Sequence, residues 1–144
     1  MITEGMTADP TRWLLVSGGL EIIVSSLLGY VMLLPMQPWG AGLRTRMPPA
    51  RALLSVHLDL LMLALTQFAA GLAMKAIPGP RDRWAAVLLI ASGWLNVTPY
   101  IWRMAGVDAF ALAGAPLQRV AATISLASTL ALISGWVMLV AGWV

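Results

Sequence analysis

Residues 13–35 read WLLVSGGLEIIVSSLLGYVMLLP, an apolar run whose one charged side chain is Glu21. A helix needs about 20 apolar residues to cross the hydrocarbon core of a bilayer, and this run is long enough. Three more predominantly apolar runs follow, at residues 52–76, 84–104 and 117–143. The sequence therefore predicts an all-α protein, an integral membrane four-helix bundle.

The composition supports this class, with 60% hydrophobic and 10% charged residues and a mean hydropathy of +0.84. Soluble domains are much more polar. The first run exceeds the apolar stretch of about 7 to 15 residues in a signal peptide, so we expect it to stay in the mature protein. Residues 1–144 should form a single transmembrane domain, with both termini on the same side because the chain crosses four times.

The net charge of +3 comes from basic residues that stand near the ends of the apolar runs. Such residues usually contact lipid headgroups, so we expect the lipid bilayer, and no nucleic acid, as a partner. Lysine and arginine are divided almost evenly between the two sides, which leaves the membrane orientation open. Small residues in the last run, at Ala121, Ser125 and Thr129, predict close contact between helices or subunits.

Polar side chains at membrane depth are costly and often functional. His57 lies six residues after Arg51, about 9 Å into the second span at 1.5 Å per residue. Tyr100 lies at a similar depth in the third span, and Asn96 lies about 6 Å deeper. The polar set at depth comprises Glu21, His57, Asp59, Asn96 and Tyr100.

Asn96 and Tyr100 are four residues apart and share one helix face, so together with His57 they could line one pocket. Pro99 between them predicts a kink and frees the carbonyl of Leu95. Asp59 stands roughly 160° around the helix from His57. We expect it to form a structural ion pair with Arg51 or Arg103.

His57 is the only histidine and the chain has no cysteine, so thiolate and iron–sulfur chemistry are excluded. A lone histidine is often a structural core residue, but neutral imidazole is also the usual axial donor to haem iron. One histidine per chain argues against bis-histidine coordination and would leave the sixth iron position open.

Two segments, ARALLSVH at 50–57 and GWLNVTPY at 93–100, resemble the styrene oxide isomerase family. The resemblance implies that His57 ligates ferric haem b and that Asn96 and Tyr100 line the substrate pocket. It also implies a homotrimer with haem between subunits, in a bacterial inner membrane. The implied activity is the Meinwald rearrangement of aryl or related epoxides to aldehydes, by Lewis-acid ring opening and a 1,2-hydride shift.

Two other functions stay open. Glu21 in the first span resembles the single glutamate of small multidrug-resistance exporters, which couple proton and substrate movement. A non-catalytic haem-binding membrane subunit would also use His57. The first loop is basic and proline-rich, and the residues after His57 are bulky, so the resemblance leaves the substrate itself undefined.

Overall fold

The computed structural model describes residues 9–112 and 114–144, and this part of the chain is helical with no strand. The helices are α1 (Pro10–Leu33), α2 (Ala50–Ala76), α3 (Asp82–Asn96), α4 (Thr98–Met104) and α5 (Pro116–Val140). Helix α1 continues as a 3₁₀ turn through Met36, and α3 with α4 forms one span, Asp82–Met104. Four segments are thus long and apolar enough to cross a membrane, as the sequence predicts.

Local chemistry defines where the helices begin. The side chain of Asp9 accepts a hydrogen bond from the backbone N–H of Thr11, 3.0 Å away, and caps α1. Proline occupies the first turn of α1 and of α5, where its missing N–H costs no helical hydrogen bond. At the start of α3, Asp82 accepts from the N–H of Gly79 at 2.8 Å.

The third span is interrupted at Val97, two residues before Pro99. Proline cannot donate to the carbonyl four residues earlier, which is that of Leu95. The hydroxyl of Thr98 donates to this carbonyl instead, at 2.7 Å. The predicted break at Pro99 is therefore confirmed, and a neighbouring side chain satisfies the freed carbonyl.

Helix α1 packs most extensively on α2, and α3 packs most extensively on α5. At one end of the bundle, the guanidinium of Arg83 lies 5.7 Å from the ring centre of Trp13. Gly79, in the connection between α2 and α3, lies against Gly142 near the C-terminus. The N-terminal end of α1, the α2–α3 connection and the C-terminus thus share one side, as predicted.

The buried stripe on α5 differs from the predicted one. Ala121, Ser128 and Gly135 are buried and stand seven residues apart, whereas Thr129 is exposed and Ser125 is half-buried. A seven-residue repeat keeps one seam of a helix against its neighbour in a bundle. Thr129 therefore lies outside the contact stripe within one chain, and a contact of this residue between subunits stays a prediction.

The α3–α5 contact should be sensitive to one methyl group at Gly135. A Cβ there would lie 2.9 Å from Cγ of Leu89 and 3.3 Å from the carbonyl oxygen of Ala85. We expect Gly135→Ala to lower the free energy of unfolding by about 1–3 kcal/mol, the usual cost of overpacking. Thermal unfolding in detergent, followed by circular dichroism, measures this.

Gly19→Ala is the matched control, because a Cβ at Gly19 would meet no atom within 4 Å. It should melt at or slightly above the parent temperature, since alanine favours helix over glycine. Equal melting temperatures for the two variants would contradict the close α3–α5 contact.

Candidate functional site

His57 on α2 is fixed by Ser25 on α1. Its Nδ1 atom lies 2.8 Å from the backbone oxygen of Ser25 and 2.9 Å from Ser25 Oγ. The Ser25 hydroxyl in turn donates to the backbone oxygen of His57, at 2.8 Å. A carbonyl oxygen can only accept, so Nδ1 carries the hydrogen in this arrangement. In the neutral ring the lone pair is then on Nε2.

Gly29 makes room for the imidazole. A Cβ at Gly29 would lie 3.1 Å from Cε1 of His57, so a side chain at this position would press on the ring. The ring is half-buried, and Nε2 forms no hydrogen bond with residues 9–112 or 114–144. The lone pair on His57 Nε2 is therefore held in a fixed direction, and no described residue binds to it.

Asn96, at the end of α3, connects three helices. Its amide nitrogen donates to both carboxylate oxygens of Asp59 on α2, at 2.9 and 3.1 Å. Its amide oxygen lies 3.3 Å from Oγ of Ser128 on α5, which also donates to the backbone oxygen of Ser92. The predicted ion pair of Asp59 with Arg51 or Arg103 was wrong, because the partner of Asp59 is Asn96.

His57 and Asp59 face different neighbours, as their angular separation predicts. His57 contacts α1 through Ser25, and Asp59 contacts α3 through Asn96. Because Asn96 is on the Asp59 side of α2, it does not face the imidazole. These contacts do not join His57 and Asn96 within one chain, and the expectation that they line one pocket stays a prediction.

Tyr100 on α4 packs against an apolar cluster of Val56, Leu60 and Val97. Its ring meets that of Phe110 edge-on, with centroids 5.8 Å apart. It also lines a cavity of about 470 Å³ at the start of α2, together with Pro49, Arg51, Ala52, Ser55 and Arg103. No hydrogen bond to the Tyr100 hydroxyl occurs in the described part of the chain, so this group is free to bind a ligand.

Glu21 and Gln67 form a second polar contact between α1 and α2, with Gln67 Nε2 donating to Glu21 Oε1 at 2.7 Å. Both residues are buried, and Gly93 of α3 lies directly against them. The next residue, Trp94, donates its indole N–H to Ser17 of α1 at 3.0 Å. Sequence reasoning missed Gln67, although an amide within an apolar run was a visible signal.

These contacts describe an integral membrane protein whose helices are joined by small clusters of polar side chains. No protein-family model matches the chain, and neither the curated proteins nor the solved structures include a significant match to it.

The Asp59–Asn96 contact can be measured as a coupling energy. We expect Asp59→Leu and Asn96→Leu each to lower stability, because each leaves the other polar group without its partner in the bundle interior. The double variant should recover part of the loss. The coupling should be about 0.6 kcal/mol, the average for hydrogen bonds between membrane helices, and at most about 1.7 kcal/mol.

Thr66→Val is the control partner, since its hydroxyl bonds to the backbone oxygen of Met62 on its own helix. Combined with Asp59→Leu it should be additive. The Asp59–Asn96 contact would be refuted by additive effects of the Asp59 and Asn96 substitutions in reversible unfolding.

Proposed function

We propose that this protein is a haem-dependent membrane isomerase that converts aryl or related epoxides to aldehydes. One observation carries the proposal: Nδ1 of His57 is held by the backbone carbonyl of Ser25 at 2.8 Å, and Nε2 has no partner among the described residues. Histidines that ligate metals usually donate their second ring N–H to a carbonyl or carboxylate in this way.

The surroundings of His57 fit an axial ligand of haem b. The Ser25 contact selects the neutral tautomer with its lone pair on Nε2, and Gly29 leaves space for the ring. The chain has one histidine, so His57 is the residue that would hold the haem iron. Ferric haem, when bound, would supply a Lewis acid that polarises the carbon–oxygen bond of an epoxide.

Tyr100 is the stronger of the two candidates for substrate contact. Its hydroxyl is available to donate a hydrogen bond to an epoxide oxygen, and the neighbouring Val56, Leu60 and Val97 provide an apolar wall. Such a wall limits access of water to the positive charge that develops on carbon during ring opening. The amide nitrogen of Asn96 already donates to Asp59, so Asn96 has less free donor capacity than its sequence position indicates.

The arrangement favours a site shared between chains. His57 faces the α1 side of α2, whereas Asn96 lies on the α3 side, so one chain does not bring them together. A homotrimer with haem between subunits, in a bacterial inner membrane, accounts for this separation. The isomerisation consumes no second substrate, so no soluble redox partner is needed.

Haem binding is the first test. The purified parent protein should show a Soret band with stoichiometric haem, and His57→Ala should lose the haem while remaining helical. Gly29→Ala should tilt the imidazole and weaken haem binding by about 10- to 100-fold, the usual effect of disturbing the support of a metal ligand. Gly19→Ala serves as its control, because a Cβ there meets no atom within 4 Å. A colourless, folded parent protein from haem-replete cells would refute the proposal.

Tyr100→Phe tests the chemistry separately from cofactor binding. It removes only the hydroxyl, so haem content should be retained while aryl-epoxide isomerisation slows by about 10²- to 10³-fold, as for loss of one transition-state hydrogen bond. Tyr30→Phe is the matched control, because Tyr30 is the other tyrosine and is 65% exposed on α1. Haem binding without turnover of any aryl epoxide would favour a non-catalytic haem subunit instead.

A further inference from the structure

The Glu21–Gln67 pair contains two buried oxygens without a partner. Glu21 is 0% exposed and Gln67 is 1% exposed, and they share one hydrogen bond, from Gln67 Nε2 to Glu21 Oε1. Glu21 Oε2 and Gln67 Oε1 each have no hydrogen-bond partner in the described part of the chain. The two unsatisfied atoms therefore belong to the two residues that already form one hydrogen bond.

We infer that this pair is a proton-binding site, in which a proton on Glu21 Oε2 is donated to Gln67 Oε1. A carboxylic acid has one O–H donor and an acceptor oxygen, and a primary amide has N–H donors and an acceptor oxygen. The two planar groups can form a cyclic pair with two hydrogen bonds. One proton then satisfies both unpartnered oxygens, and Glu21 is uncharged.

The partners of the Glu21 carboxyl group favour its neutral, protonated form. The only hydrogen bond to the Glu21 carboxyl group from the described residues comes from an uncharged amide. An ionised carboxylate in the interior of a membrane protein is costly unless a cation or several donors stabilise it. Protonation removes that cost without any further partner.

The backbone of α3 closes this site. A Cβ at Gly93 would overlap both Gln67 Nε2 and Glu21 Oε1, so the helix approaches the pair as closely as a residue without a side chain allows. A sodium ion would need several oxygen ligands, and the pair has two unpartnered oxygens. The site therefore fits a proton better than a metal ion. The Glu21–Gln67 pair joins α1 and α2 at the place where α3 packs against them. The inferred proton site does not depend on haem or on the proposed isomerase activity.

Infrared spectroscopy of the full chain in lipid bilayers at neutral pH tests the inference. The chain has two glutamates, Glu4 and Glu21, so ¹³C-labelled glutamate identifies their carboxyl bands in the unaltered protein. We expect the stretching band of one protonated carboxyl group to shift with the label, and to be lost in Glu21→Gln. Glu4→Gln and Asp59→Asn are controls in which this band should remain.

Gln67→Met tests the pairing itself, because it keeps the approximate volume and removes the amide. The protonated-carboxyl band should remain in this variant but move to the frequency of a more weakly hydrogen-bonded acid. An unchanged band frequency would overturn the pairing. A labelled carboxylate band that is lost in Glu21→Gln would overturn the proton site. A protonated band that disappears on addition of sodium chloride would overturn the preference of the site for a proton over a metal ion.

Discussion

A polar group inside a bilayer has no water to bind, so it needs a partner on a neighbouring helix. In this protein that requirement is met mainly through α2. His57 and Gln67 of α2 contact Ser25 and Glu21 of α1, and Asp59 contacts Asn96 of α3. Shifting α2 by one residue would rotate its side chains by about 100° and separate all three pairs. The register of α1, α2 and α3 thus depends on these few polar contacts, while the surrounding apolar side chains mainly fill space.

The break of the third span at Val97 lies between two polar side chains that have different roles, Asn96 before it and Tyr100 after it. Pro99 removes a helical hydrogen bond, and the hydroxyl of Thr98 replaces it at the carbonyl of Leu95. Asn96 ends α3 and faces inward to Asp59 and Ser128, whereas Tyr100 on α4 lines a cavity at the start of α2. The same short segment supplies a structural contact and a free hydroxyl.

Helix number, approximate helix ends and the break at Pro99 were predictable, because they depend on hydrophobic length and on the chemistry of one residue type. Depth could be counted along each span, but the direction of a side chain depends on how neighbouring helices rotate, which spacing within one helix does not determine. Asp59 illustrates this limit: arginines stood at suitable depths, yet its partner is the Asn96 amide. Gln67, and the role of Ser25 as the partner of His57, were missed because each carries no charge and becomes informative only once its partner on another helix is known. The contact seam of α5 inside one chain likewise repeats every seven residues and not every four, so Thr129 lies outside it.

The rule that polar groups need partners also bears on where the candidate site would be completed. Most polar side chains between the described helices are paired within the chain. Besides the two unpartnered oxygens of Glu21 and Gln67, His57 Nε2 and the Tyr100 hydroxyl are not engaged by the described residues. Leaving such a group without a partner in an apolar medium costs about 1–3 kcal/mol. The imidazole is held by a hydrogen bond at Nδ1 and packs closely against Gly29, so its orientation is determined before any ligand binds. His57 Nε2 is thus oriented but has no partner, and it is well suited to bind a ligand that the single chain does not supply. For the proposed isomerase that ligand would be haem iron at a boundary between subunits, where the same contact would satisfy the imidazole and hold the chains together.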